Sequence, residues 1–174
     1  VNMASCAKPQ DTRYFFDAQK RYVDHPVVYI SWQDAVDFCA WREARLPSEV
    51  EWEKAARGTD QRIYPWGNQW RNEYANASGA ADGYVGSAPV NSFEDHLSPY
   101  GLYNMAGNVW EWTADWYDIY PDGDSSASPY FGELRRVARG GSWADNKNSL
   151  LTYKRYDLNP LTNNSQVGFR CAAD

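Results

Sequence analysis

The chain has 174 residues, enough for one domain with a sizeable core, and a formal net charge of −6 with no basic stripe, which argues against a binder of phosphate backbones. Aromatic residues make up 16%, with 9 Trp and 13 Tyr, while Leu, Ile and Val are sparse, so the core is expected to be built from rings in loops. No apolar run approaches the roughly 18 residues that a membrane-spanning helix needs.

Residues 1–22 are polar and aromatic without clear period and read as a meandering lead-in. Met3-Ala4-Ser5-Cys6 is similar to a bacterial lipoprotein cleavage site, but the apolar stretch that should precede it is missing. Val27, Val28, Tyr29 and Ile30 predict a short strand. Ser31 with Asp34 then offers a capping-box start, and Trp32, Ala35, Val36, Cys39 and Ala40 recur at helical spacing, predicting a helix over 32–42 with one apolar face. Ser48 and Glu51 open a second helix whose inner stripe is Trp52, Ala55 and Ala56. Gly58 suits the left-handed residue after its end.

From 59 to 130 sustained periodicity disappears, yet the density of rings argues for ordered loops pinned by ions and aromatic packing rather than for disorder. The densest stretch is 98–116, SPYGLYNMAGNVWEWTADW. Pro99, Gly101 and Gly107 break any long period, while Trp110, Trp112 and Trp116 are too costly to leave in water. An irregular core piece is expected, neither helix nor strand, whose carbonyl oxygens need donors or a cation. Residues 122–129 read as an exposed loop with a solvated acidic pair. Strands are expected at 136–138, ending at Gly140-Gly141, and at 167–171. Between them lies SWADNKNSLLTYKRYDLNPLTNNSQV, with neither helical nor strand period, and there is no internal repeat.

Six blocks carry a resemblance: HPVVYISWQDAVDFCAW at 25–41, RLPSEVEWEKAARG at 45–58, YPWGN at 64–68, the 98–116 segment, RVARGGSW at 136–143 and GFRCAAD at 168–174. In this order they resemble the formylglycine-generating enzyme, or sulfatase-modifying factor, superfamily. The resemblance implies an α+β fold of the elaborated C-type-lectin-like kind, low in regular secondary structure, with two helices and short antiparallel strands. One domain over 1–174 is expected. Members usually carry strands before the first block that are not found here, so a module of a longer protein with further domains is expected.

The resemblance also assigns two structural calcium sites. One takes the side chains of Asn104 and Glu111 with the carbonyls of Gly107 and Val109; the other takes the side chains of Asn76 and Asp82 with the carbonyls of Ala77 and Tyr84. Oxygen donors of this kind suit a hard cation. The alternative is that these acids and amides only cap turns.

The family's oxidase binds copper(I) through a cysteine pair just after the Gly-Gly-Ser-aromatic turn, at positions that align with Asp145 and Leu150. Neither replaces a thiolate, so no copper is expected. Of the three cysteines, Cys39 and Cys171 align with a structural disulfide of the family; a second family disulfide is absent at both ends, Ala56 and Arg155. Two buried reduced thiols are the alternative. A disulfide favours an extracytoplasmic or cell-surface location, reduced thiols a cytoplasmic one. Cys6 is left over as inert. His25 and His96 cannot supply the three-histidine iron site of the family's sulfoxide synthases, and His25 before Pro26 reads as a turn or hydrogen-bonded core residue.

In the enzymes the segment 140–170 lines the substrate cleft; in a branch that it also resembles, the variable proteins of diversity-generating retroelements, it is the hypervariable ligand-binding surface. Rings among adaptable amides and hydroxyls are what binding surfaces use. Trp143, Tyr153 and Tyr156 are expected as anchors, surrounded by Asp145, Lys147, Asn148, Leu150, Lys154, Leu158 and Asn159; Arg139, Arg155 and Arg170 are expected as internal props. A non-catalytic, calcium-stabilised module that binds a protein or small ligand is the expectation, with no nucleic acid and no membrane span. The rival is an enzyme of the same superfamily with atypical or missing catalytic elements.

Overall fold

The structure, a computed structural model, describes residues 22–79 and 82–174. The lead-in at 1–21, with Cys6 and the Met3–Cys6 tetrapeptide, lies outside the described residues. Two helices stand where local chemistry places them. In α1, Trp32–Trp41, the Ser31 side chain accepts from the Asp34 amide while the Ser31 amide donates back to the Asp34 carboxylate at 2.8 Å. Ser48 and Glu51 close the same reciprocal box at the start of α2, Glu49–Arg57. Each box satisfies two backbone donors that a helix start would otherwise leave orphaned. At the end of α2, Gly58 has φ +67°, and a Cβ there would lie 2.9 Å from Pro99 Cγ, so both conformation and contact ask for glycine.

A four-stranded mixed sheet lies behind the helices: β1 is Trp110–Trp116, β2 Arg136–Arg139, β3 Arg155–Leu158 and β4 Val167–Phe169, in the order β3-β2-β1-β4. β2 runs antiparallel to β1 and β3, with a bulge in β1 between Trp112 and Trp116; β4 runs parallel to β1. The expected short antiparallel strands are present in β1, β2 and β3, and β4 adds a parallel neighbour. Residues 159–166 carry the chain from β3 at one edge of the sheet to β4 at the other, and by these pairings β3 and β4 run the same way, both parallel to β1.

Three further expectations change. Residues 110–116 are regular after all: the irregular piece ends at Val109 and the rest is an inner strand. Trp110, Glu111, Trp112 and Thr113 are all buried, so the alternation that marks a half-exposed strand is missing. Conversely, residues 27–30 form no strand. Val28 and Ile30 are buried, but Tyr29 takes φ +60°, which breaks any ladder, and its amide donates to the Asn164 carbonyl at 3.0 Å. Finally, β3 emerges from the segment read as without period.

The main core forms where α1 meets the sheet, from Ile30, Ala35, Cys39, Leu46, Trp110, Trp112, Ala138, Leu158 and Val167. Trp32 fixes α1 on β1 by donating Nε1 to the Thr113 carbonyl at 2.8 Å, and Arg136 lies between the Trp32 and Trp116 rings at 3.6 and 3.4 Å from their centroids. Cys39 and Cys171 form a disulfide across 132 positions, tying α1 to the chain end beyond β4, as the resemblance implied. No helix among the described residues is long and apolar enough to cross a membrane.

Candidate functional site

Two arginines fix the floor beneath the 143–159 segment. Arg139, at the end of β2 and fully buried, donates to Glu49 at 2.7 Å, Glu53 at 2.6 Å and the Thr152 carbonyl at 2.7 Å. Arg155, at the start of β3, donates to both Glu49 carboxylate oxygens, at 2.7 and 2.9 Å. Tyr120 adds its hydroxyl to Glu49 at 2.9 Å; burial, then the Glu49 charge, push that phenol up to about 12. Buried charges persist only when paired, so this cluster locks α2 to residues 152–155 in one arrangement. The arginines expected as props are props, and Glu49, which sequence reasoning missed, is the centre they share.

Above that floor the expected surface residues divide by burial. Lys147, Asn148, Tyr153, Lys154, Tyr156 and Asn159 are exposed. Tyr153, 47% exposed, has the Arg57 guanidinium 5.7 Å from its ring centroid. Tyr156, 43% exposed, stacks on the Trp110 ring at 4.8 Å and 22°. Trp143 is half-buried, with Nε1 donating to the Ser165 carbonyl at 3.1 Å. Leu150 is fully buried beside Tyr64, Ala75, Ala77 and Ala106, and Leu158 belongs to the main core. These two lie beneath the surface, because aliphatic side chains gain by leaving water.

Asp145 is half-buried. Its Oδ2 accepts Trp110 Nε1 at 2.9 Å, the Ser142 amide at 3.1 Å and the Ser142 hydroxyl. Ser142 and Gln166, which lies 3.2 Å from the same hydroxyl, were not singled out from sequence; the only signal was the position of Ser142 directly after Gly140-Gly141. The two positions that the resemblance aligns with copper-binding cysteines therefore offer an engaged carboxylate and a buried hydrocarbon, a donor set that does not suit copper(I).

Three residues of the first implied calcium set, Asn104, Val109 and Glu111, line a cavity of about 440 Å³, and Gly107 does not. Asn104 has φ +53°; its Nδ2 donates to the Val90 carbonyl at 2.8 Å, while its Oδ1 is buried without a hydrogen-bond partner. A buried amide oxygen without a donor is what a hard cation would satisfy. Glu111 is already engaged, accepting Trp52 Nε1 at 2.7 Å and Arg170 Nε and Nη2 at 2.5 and 2.6 Å, so an ion there would share its carboxylate with a guanidinium.

In the second set the Asp82 carboxylate accepts the amides of Ala77 at 3.2 Å and Tyr84 at 2.9 Å, and Asn76 donates to the Gly86 carbonyl at 2.7 Å. These bonds are those of a turn cap. The two sets adjoin: the Asn108 amide donates to the Asn76 carbonyl at 2.9 Å, and a Cβ on Gly107 (φ +80°) would lie 2.3 Å from that carbonyl oxygen. Asn108, overlooked in the sequence, clamps Ala88 through both its amide atoms and accepts the Trp143 amide on its carbonyl.

His25 lines the same cavity and hydrogen-bonds through Nδ1 to Ser87 Oγ at 2.9 Å; burial lowers its pKa against an opposing pull from Asp24. His96 is elsewhere, stacked on Tyr74 at 3.4 Å.

Comparison with known proteins agrees with this architecture. The model of the sulfatase-modifying factor enzyme 1-like domain matches residues 2–174. Bovine formylglycine-generating enzyme is 39% identical over 168 residues, covering 87% of this chain and 44% of that protein. The bovine inactive C-alpha-formylglycine-generating enzyme 2 is also 39% identical, over 165 residues, covering 87% of this chain and 51% of that protein. The chain thus spans about half the length of the curated relatives it matches. Among solved structures, Treponema denticola variable protein 1 superposes with a TM-score of 0.71 at 24% identity, covering 95% of this chain and 74% of that one, which establishes a shared fold. With its whole described length accounted for by one family model and by an α+β, lectin-like framework, the chain belongs to the sulfatase-modifying factor enzyme 1-like family.

Proposed function

We propose that this chain is a non-catalytic recognition module, braced by calcium, which binds a protein or small ligand through the exposed side of residues 143–159. The observation that carries the reading is the division of that segment. Rings and amides, Tyr153, Tyr156, Asn148 and Asn159, stand exposed, while Leu150, Leu158 and Thr152 are buried and Glu49 ties Arg139 and Arg155 together through ion pairs. A preset surface loses little entropy on binding, and rings with few rotatable bonds add contact area at low cost. Asn104, Gly107, Val109 and Glu111, and on the neighbouring loop Asn76, Ala77, Asp82 and Tyr84, are the residues that would hold the ions. Bound calcium would supply positive charge to the Asn104 amide oxygen, which has no donor.

The fold shared with a variable protein supports placing the variable, ligand-facing role in 140–170. Binding partners captured on the wild-type protein are expected to be lost with the double variant Tyr153→Ala/Tyr156→Ala, whose exposed positions leave the unfolding midpoint nearly unchanged. Undiminished capture by that variant would refute the reading. A second reading, an oxidase of the same superfamily, has the 39% identity to formylglycine-generating enzyme in its favour. Oxygen consumption on a cysteine peptide with copper supplied would establish it instead.

A further inference from the structure

We infer that Asp145, together with the Tyr156–Trp110 stack, forms a receptor for a single cationic group, an ammonium or more favourably a guanidinium, carried by the molecule this face recognises. The inference rests on the recognition reading and specifies its ligand chemistry. Three donors, the Trp110 indole, the Ser142 amide and the Ser142 hydroxyl, converge on one Asp145 oxygen, Oδ2. Among the described residues its other oxygen, Oδ1, has no hydrogen bond and the carboxylate has no ion-pair partner. Lys147, two positions on and exposed, makes no ion pair with it. A half-buried carboxylate held only by neutral donors loses part of its hydration, and a cation is the partner that compensates it.

Two neighbours sharpen the chemistry. Trp110 meets both partners at once, with Asp145 at its Nε1 edge and Tyr156 stacked over its face at 4.8 Å. Ring faces carry negative potential and attract cations, arginine guanidinium above all because it is planar. Ser142 has one hydroxyl proton for two acceptors, Asp145 Oδ2 and Gln166 Oε1 at 3.2 Å, so with that proton on Asp145 the Gln166 oxygen receives none from it. A guanidinium brings five N–H donors and no acceptor, which matches this surplus of oxygen. The chain's net charge of −6 favours the approach of a cation as well.

Butylguanidinium, butylammonium and neutral butyramide, titrated while the Trp110 indole N–H is followed by NMR, test the assignment. The guanidinium should shift that signal saturably at millimolar concentration, the ammonium more weakly, and butyramide not at all. Asp145→Asn keeps a carbonyl acceptor for Trp110 and Ser142 but removes the charge, and it should weaken the guanidinium about tenfold or more. Tyr156→Leu keeps an apolar cover without the ring's π-face and should weaken it severalfold, so the test survives if the Asn variant proves unstable. Equal shifts with butyramide, or unchanged affinity in both variants, would overturn the cation receptor. Partner capture by Asp145→Asn separates the two ideas. If capture survives in that variant and is lost only with Tyr153→Ala/Tyr156→Ala, recognition stands and the cation assignment falls.

Discussion

His25 is the residue at which burial becomes a pH dependence. Its ring lines the 440 Å³ cavity, stands edge-on to Tyr22 at 4.9 Å and bonds Ser87, and burial holds its pKa below that of a free imidazole. Above about pH 6.5 both folded and unfolded chains carry the neutral ring, and the group contributes no slope. Below it the unfolded chain binds a proton that the folded chain resists, so stability declines as the pH falls towards the depressed folded value. The urea midpoint of the wild-type protein should therefore drop between pH 7.5 and 5.5 by more than that of His25→Gln. Equal drops would show that the ring does not resist protonation. No residue in the 25–30 stretch announced this role. His25 before Pro26 reads as a turn or hydrogen-bonded core residue; it is hydrogen-bonded but only half-buried, and its distant partner Ser87 could not be read from it.

At the scale of elements, the helices were legible and the sheet mostly was not. Ser31/Asp34 and Ser48/Glu51 act within four residues of chain, so their capping boxes appear in the sequence as they appear in space. β1 hides because it is covered on both faces, and β3 hides because its residues are ordered by β2 rather than by their own period. The Cys39–Cys171 bond joins the legible part to the hidden part, from α1 to the end of β4. Replacing both cysteines with alanine should lower unfolding stability by about 2–5 kcal/mol, because the open chain regains conformations that the closed loop forbids. Reduction of the wild-type protein should give the same urea midpoint as the double variant. A reduced midpoint equal to the oxidised one would mean that packing alone holds α1 to the chain end.

For the whole molecule, calcium is the deciding measurement. Two oxygen-rich loops adjoin at Asn76 and Gly107, and the Asn104 amide oxygen between them and the cavity is buried without a donor. An ion bound only to the folded chain stabilises it by about 2.7 kcal/mol at a free concentration a hundredfold above Kd. For a domain of this size that is a rise in Tm of about 5–10 °C. Calcium should raise Tm by that order over chelator, and Asn104→Ala should remove part of the rise. The same Tm in calcium and in chelator would assign both loops to turn capping alone.

By itself the sequence determined the two helices, the family and its lectin-like framework, and the cysteines that pair, because these rest on short motifs whose chemistry is complete within a few residues or within an ordered set of blocks. It also showed a ring-rich segment after Gly140-Gly141 without a period of its own, in which β3 could not be read. Only the tertiary structure decided which side of that segment faces outward. Leu150 and Leu158 turn inward, Tyr153 and Tyr156 outward, and Asp145 meets Trp110 and Ser142. Orientation of this kind is set by what lies beneath: Glu49 on α2 collecting Arg139 and Arg155 from strands about ninety or more positions away. A bond over that distance leaves no period for a sequence to display.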